Sequence, residues 1–425
     1  MGDAENMYHN GTQWVAGQSD ADGNIKVVSS PSSDSLDAFN RLRVSSPATT
    51  FDSKQVFDNL PLFWDDQEVS GSGTTSTWSK DQASSTMAVS NLTAGKRVRQ
   101  TFQSFDYHPG KSQQVMMTGS LVGAGTGITA SMGQFNDDNG LFASAIDGVV
   151  NFVIRSSTSG SAVDNPVPQE DWNLDTFDGN GPSGVELDPT KTQIFVFDYE
   201  WLGVGRVRMG WFYHGKIHFC HEFDHANVLE VVYMSTPNLP LRYSIENDGT
   251  GGAASMQHLC STIISEGAGH EEHLNRTVST NGTKVDANSV GTIYAVKGIR
   301  LKTTHIGGVI TPIGGSLLGL TNDDYEWFLI LNPTKAVDLT WSDVTNSSIQ
   351  EGTANASSPS TTTLTGGTVI AGGFIQGNRS ADLDIKAALK IGAAIDGTRD
   401  EIILAVSPLQ INLDVHGSIT YTEAL

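Results

Sequence analysis

Arg206-Val207-Arg208-Met209-Gly210-Trp211-Phe212-Tyr213, then His214-Gly215, then Lys216-Ile217-His218-Phe219-Cys220-His221 is the stretch that decides the fold. Two runs rich in aromatic and β-branched residues flank a two-residue connection. A residue that tolerates positive φ followed by glycine is the signature of a tight β-hairpin. In the second arm Ile217, Phe219 and His221 share one face by period-2 alternation, and Lys216, His218 and Cys220 share the other. Apolar residues against mixed polar ones describe an antiparallel sheet with one wet face.

The same signals recur outward from this hairpin. Asp22-Gly23, Asn139-Gly140, Asp147-Gly148 and Asp248-Gly249 mark turns. Asn151–Arg155 and Gln193–Tyr199 are enriched in strand-forming residues. Residues 45–270 therefore read as an antiparallel β-sandwich. Residues 271–290, polar and without apolar period, read as a linker. In residues 291–425, Thr292–Val296, Gly298–Lys302, Tyr325–Leu331, Glu401–Val406 and Gln410–His416 read as strands of a second sandwich. One short helix is expected there, capped by Ser380 and running through Leu383, Ala387, Leu389, Lys390 and Ile391 to Gly392. Residues 346–367 read as a polar, exposed loop. Residues 1–44 are polar and carry only short apolar pairs, as in an extended arm. The fold class expected is mainly β, with two jelly-roll or lectin-like sandwiches behind an N-terminal assembly arm.

Composition supports this and narrows function. The chain has 425 residues, with 25 Lys+Arg against 47 Asp+Glu, a formal charge of −22. That balance excludes nucleic acid as a partner, because phosphate binding needs clustered cations. Only 17% of residues are charged and 45 are glycine, against roughly 25% charged in ordinary soluble domains. Met1–Asn6 has neither basic nor apolar character, so no signal peptide is expected. Val309–Leu320 is broken by Pro312 and Gly314-Gly315, and is shorter than the ~20 residues of a membrane span. Cys220 and Cys260 cannot form a disulfide framework. Both sit in strand-like segments and are expected to be reduced and buried as small hydrophobes.

No catalytic or cofactor motif emerges. There is no G-x-S-x-G, P-loop or H-E-x-x-H pattern. Gly123-Ala124-Gly125-Thr126-Gly127 lacks the helix a phosphate loop needs. His214, His218, Cys220, His221, Glu222, Asp224 and His225 crowd together, and His218 with Cys220 could reach one zinc ion from the same strand face. His221 points the opposite way, however, and His270 or His273 would join only through tertiary contact. Asp20-Ala21-Asp22-Gly23-Asn24 starts like a calcium loop but has Ser29 where the bidentate Glu belongs. Asp65-Asp66, Asp137-Asp138 and Asp323-Asp324 are acids without a defined separation, so they define no glycosidase pair. No catalytic, cofactor-binding or metal-ligating residue is assigned.

Leu36-Asp37-Ala38-Phe39-Asn40-Arg41-Leu42-Arg43-Val44-Ser45 resembles the D-A-F-x-R-L-R-V-S element of a family of virion structural proteins of tailed bacteriophages. Phe51–Gln55, Leu62–Asp65, Val98–Thr101, Pro109–Gln113, Met116–Gly119, Trp201–Arg208 and Asn238–Tyr243 extend the resemblance over residues 36–270. Asn40 stands where the family often has Gly, a change that turn geometry tolerates. The Trp211–His221 hairpin also looks like that of the concanavalin-like (laminin-G-type) sandwich, which is fold analogy alone.

The resemblance implies a component of the virus particle and supplies no catalytic residues; the first reading is a non-enzymatic structural protein of the tail, collar or an appendage of the virion, assembled in the host cytoplasm as a homo-oligomer. Its implied partners are other copies of itself and other virion proteins. Phe39, Arg41, Leu42, Arg43 and Val44 of the arm, with Phe63 and Trp64 after Pro61, are the candidate assembly contacts. The alternatives are a capsid decoration protein, a carbohydrate-binding module recognising a host surface glycan or receptor, and a glycan-degrading enzyme.

Overall fold

A computed structural model of the chain describes residues 7–9, 14–16, 36–43, 46–122, 125–267, 273–385, 389–410 and 412–424. Most of the arm, Val44, the Asp20–Asn24 stretch, Gly123-Ala124 and His270 lie outside the described residues. Of the arm's first part, Met7–His9 pairs antiparallel with Trp14–Ala16.

The hairpin of the opening argument forms. Val207–Tyr213 pairs with Lys216–Phe223, and His214 and Gly215 take φ of 49° and 80°. Asp147-Gly148 does the same between Gly140–Ile146 and Val149–Ser156, at 50° and 85°. These are the positive angles that match a two-residue turn to the twist of its strands.

Two antiparallel sheets enclose the first core. One runs, in spatial order, Val163–Pro168, Val149–Ser156, Gly140–Ile146, Ile128–Phe135, Leu241–Asn247, Gly95–Thr101 and Trp64–Gly71. The other runs Lys216–Phe223, Val207–Tyr213, Gln193–Tyr199, Gln113–Gly119, Ala254–Ser265, Ser84–Val89 and Thr74–Ser79, with Ala48–Lys54 added against Ala254–Ser265. Side chains of both interdigitate. The Phe152 ring of the first sheet stacks 5.8 Å from Phe195 of the second, and Trp211 lies 6.1 Å from Phe152. This is the face-to-face packing of a β-sandwich.

A second buried core spans Val278 to Tyr421. Its smaller sheet is built on Leu413–Ala424, which pairs with Val309–Gly319 on one side. Its larger sheet centres on Ile293–Leu301, Glu401–Pro408 and Tyr325–Leu331. The sheets approach so closely at Gly417 that a Cβ there would lie 2.7 Å from Val296 Cγ1.

Three sequence expectations need correction. The supposed helix is absent from its described part. Ser380–Asp384 is a strand on Val309–Gly319, and Ile391 bridges to Ile310. Leu383 and Ile385 are buried while Asp382 and Asp384 are exposed, so a period-2 pattern with a waiting ladder partner overrode the capping signal. The supposed linker contains Leu274–Ser279 and Val285–Ala287, which both run along Leu413–Ala424 and belong to the second sandwich. The supposed loop at 346–367 holds the strands Ile349–Thr353 and Thr363–Thr365.

Cys220 is buried, but Cys260 is exposed. A register shift between His258 and Cys260 turns the thiol to the outer face of Ala254–Ser265. Burial pushes the Cys220 thiol far above its ordinary pKa. In the native protein at pH 8, a thiol reagent is expected to modify one cysteine, Cys260, and to reach Cys220 only after unfolding. Peptide mapping showing rapid native labelling of Cys220 would contradict this burial.

Candidate functional site

The D-A-F-N-R-L-R segment is folded on itself by its aspartate. Asp37 Oδ1 accepts from the backbone N–H groups of Phe39 (2.9 Å) and Arg41 (2.8 Å), and Arg41 Nε donates to Asp37 Oδ2 at 2.8 Å. Asn40 takes φ of 60°, and Leu36 bridges to Leu42. An aspartate closing its own turn is a local device that needs no core.

This loop is fastened to the first sandwich by arginines from both partners. Arg43 Nη2 donates to Asp198 at 2.5 Å, and its Nη1 bonds Glu266. Arg208 holds the other side of Asp198 with bonds of 2.9 and 2.6 Å, and donates to the Leu36 carbonyl at 2.8 Å. Arg206 reaches the Ala38 carbonyl at 2.9 Å and Asn40 Oδ1 at 2.9 Å. Asp198 has no exposed surface and Arg208 is buried. Two carboxylates and two guanidiniums thus neutralise one another away from water, which is what a buried charge requires. Burial lowers the pKa of the Arg43 guanidinium, and Asp198 opposes that shift.

The seven candidate contacts divide accordingly. Leu42 is 53% exposed, and the Arg41 guanidinium is exposed, lying 4.5 Å over the half-buried Phe39 ring. Arg43 is committed to its own sandwich. Trp64, a candidate contact, is instead a core residue, 2% exposed and packed on Tyr243 and His258. Phe63 packs half-buried on the same core. Val44 lies outside the described residues. Sequence reading missed Arg206, Arg208, Asp198 and Glu266. The available signal was Asp198, a charge inside the apolar strand Gln193–Tyr199.

Among the described residues the histidine cluster does not assemble a zinc site. A bulge between Met209 and Gly210 breaks the period-2 face, and Cys220 packs in the first hydrophobic core. Its Sγ donates to the His218 carbonyl at 3.4 Å. His221 Nδ1 instead accepts from the Asn173 N–H at 3.1 Å. A different set converges at the junction of the two sandwiches, where Asp106, His108 and His273 each place a ligand atom within 4.8 Å of the others.

The sandwiches are joined there by hydrogen bonds. The Ala393 N–H donates to the Phe102 carbonyl at 2.9 Å, and the Ile395 N–H to Asp65 Oδ2 at 2.8 Å. Beside these contacts a groove of about 590 Å³ is lined by Asn136, Asp137, Asn139, Arg242 and Asp396.

No family model and no curated protein matches the chain. Solved structures to which it is similar include a Bacillus licheniformis beta-glucanase, at TM-score 0.34 and 8% identity over 51% of this chain and 97% of that one. The Emp47p carbohydrate recognition domain follows at TM-score 0.32 and 11% identity, over 52% and 97%. The CBM2 module of the evolved Dit of Lactobacillus casei BL23 phage J-1 stands at TM-score 0.32 and 8% identity, over 52% and 96%. At these scores no activity or ligand is carried over to this chain.

Proposed function

We propose that the chain is a structural component of a tailed-phage virion, in the tail, collar or an appendage, and that it works by homo-oligomeric assembly rather than catalysis. The observation that carries the assembly reading is one bare sheet edge. The larger sheet of the second sandwich ends on Thr368–Ile375. That strand, Thr-Val-Ile-Ala-Gly-Gly-Phe-Ile, has no charge and no proline, and Val369 and Phe374 are 54% and 73% exposed. Proteins that remain single blunt such edges with charge or proline. Five other terminal strands here do so: Val163–Pro168 has two prolines, and Trp64–Gly71, Lys216–Phe223, Leu274–Ser279 and Ser380–Asp384 carry charges. Thr74–Ser79 carries mainly hydroxyls. An apolar edge left open is one that a second copy covers by strand addition.

The resemblance of residues 36–45 to the virion family supplies the particle, and the clamp described above supports a structural use of that element. The two converging carboxylates, Asp198 and Glu266, are tied to Arg43, which suits a brace and not an acid–base pair.

Sedimentation of the full chain at micromolar concentration is expected to show an oligomer. Val369→Lys with Phe374→Lys is expected to shift it to monomer without lowering the unfolding temperature. A monomeric wild type, or an oligomer indifferent to both lysines, overturns the assembly reading. Antibody labelling of intact particles tests the virion reading separately. The polar junction groove is where a glycan would bind in the carbohydrate-binding alternative, and a glycan array with Arg242→Ala as control decides that reading.

A further inference from the structure

Phe105-Asp106-Tyr107-His108 alternates between two environments. Phe105 and Tyr107 are buried in the first core, at 1% and 4% exposure, so Asp106 and His108 project together from the other side. The backbone that presents them is pinned. The Phe105 N–H donates to the Leu239 carbonyl at 3.1 Å, and the Tyr107 N–H to Asn238 Oδ1 at 3.1 Å. The Tyr107 ring stacks on Tyr199 with centroids 5.6 Å apart, and the Lys111 N–H closes a turn on the His108 carbonyl at 3.0 Å. The third residue comes from far away in sequence. His273 immediately precedes Leu274–Ser279, the first strand of the second sandwich. All three are partly buried.

We propose that Asp106, His108 and His273 bind a divalent transition-metal ion, zinc or one of its borderline neighbours. Two imidazoles and a carboxylate are donors such ions take, and three protein ligands leave a fourth position for water. The spacing fits. Ligands at about 2.0–2.1 Å from a tetrahedral zinc stand about 3.3 Å from one another. His108 Nε2 and Asp106 Oδ2 are 3.5 Å apart, and the whole set falls within 4.8 Å. Closing on an ion therefore shortens the ligand separations by no more than about 1.5 Å.

The position gives the ion a use. The three residues line a cavity of about 260 Å³ between the sandwiches. Thr50 and Phe105 face it from the first, and Val309, Thr311 and Thr422 from the second. An ion held there fastens the start of the second sandwich to the first and fixes their relative pose. Lys390 lines the same cavity, and its positive charge opposes the ion. Lys390→Ala is accordingly expected to tighten binding.

The test uses the full chain, dialysed against chelator and titrated with zinc alone by calorimetry. Cobalt(II) serves as a spectroscopic probe of ligand geometry. One equivalent is expected to bind. His108→Ala and His273→Ala are each expected to weaken it at least about 10-fold, the range that even outer-shell partners of a metal reach. Cobalt is expected to give a low-symmetry visible spectrum that His273→Ala abolishes. Saturating zinc is expected to raise the wild-type unfolding temperature by about 5 °C and leave that of His273→Ala unchanged. His273 lies outside every strand, so that variant keeps its fold. His221→Ala, in the other histidine cluster, is expected to bind zinc like wild type. No binding at micromolar zinc, or equal affinity in wild type and His273→Ala, overturns the proposal.

Discussion

Asp198→Ala is expected to destabilise the first sandwich by about 3–5 kcal/mol, the cost of removing one partner of a buried ion pair. Asp198 lies between Arg208 and Arg43, with bonds of 2.5–2.9 Å to both. Its removal leaves the Arg208 guanidinium buried with its carboxylate gone, and leaves Arg43 with Glu266 alone. Urea unfolding followed by tryptophan fluorescence measures the loss. Arg41→Ala is the control, because its guanidinium is exposed and its pair with Asp37 is worth under about 1 kcal/mol. Asp198→Leu combined with Arg208→Met is expected to recover much of the loss, since apolar replacement of both partners is often near neutral. If Asp198→Ala unfolds within about 1 kcal/mol of wild type, the range of surface pairs, the clamp is not a stabilising device.

That network shows what the sequence disclosed and what it withheld. Strands bounded by glycine turns were legible, because turn chemistry and period-2 alternation are local. His214-Gly215 and Asp147-Gly148 formed as read. The helix at 380–392 was misread because a serine cap and spaced leucines are also compatible with an edge strand. What decides between them is Val309–Gly319, some 65 residues earlier, whose open side receives Ser380–Asp384. Leu274–Ser279 was missed for the same reason: its partner, Leu413–Ala424, lies at the far end of the chain.

The sites were less legible than the strands. Arg43 and Asp198 are 155 positions apart, and nothing local pairs them. Bulges are a second cause. The shifts at Met209/Gly210 and His258/Cys260 each move side chains to the opposite face, which undid the reading of the His218–Cys220 pair and of the Cys260 thiol. Asp106-x-His108 was locally readable as two donors on one side of an extended segment. It gains meaning only with His273, which lies beside it in space and just ahead of Leu274–Ser279 in sequence.

Acidification is expected to destabilise the protein well before its carboxylates titrate. His258 has no exposed surface and lies between Trp64 and Tyr243, with ring centroids 4.3 and 4.1 Å away. Burial holds its imidazole well below the ordinary value, and the Arg99 guanidinium 3.4 Å from Nδ1 adds to the effect. Burial lowers His221 and His225 as well. In the unfolded chain these rings take up protons near pH 6.5. The folded pKa is the lower one, so below that pH the unfolded state binds more protons and stability falls as pH falls. The slope from a ring that stays neutral is about 1.4 kcal/mol per pH unit. Denaturant midpoints are expected to be flat from pH 8 to 7 and to decline steadily from 6.5 to 5. His258→Gln removes one titrating site, and its profile is expected to be shallower than wild type by about 1.4 kcal/mol per unit across pH 5–6. Parallel profiles for the two proteins would show that His258 is protonated in the folded state, and that Arg99 and the aromatic pair do not exclude its charge.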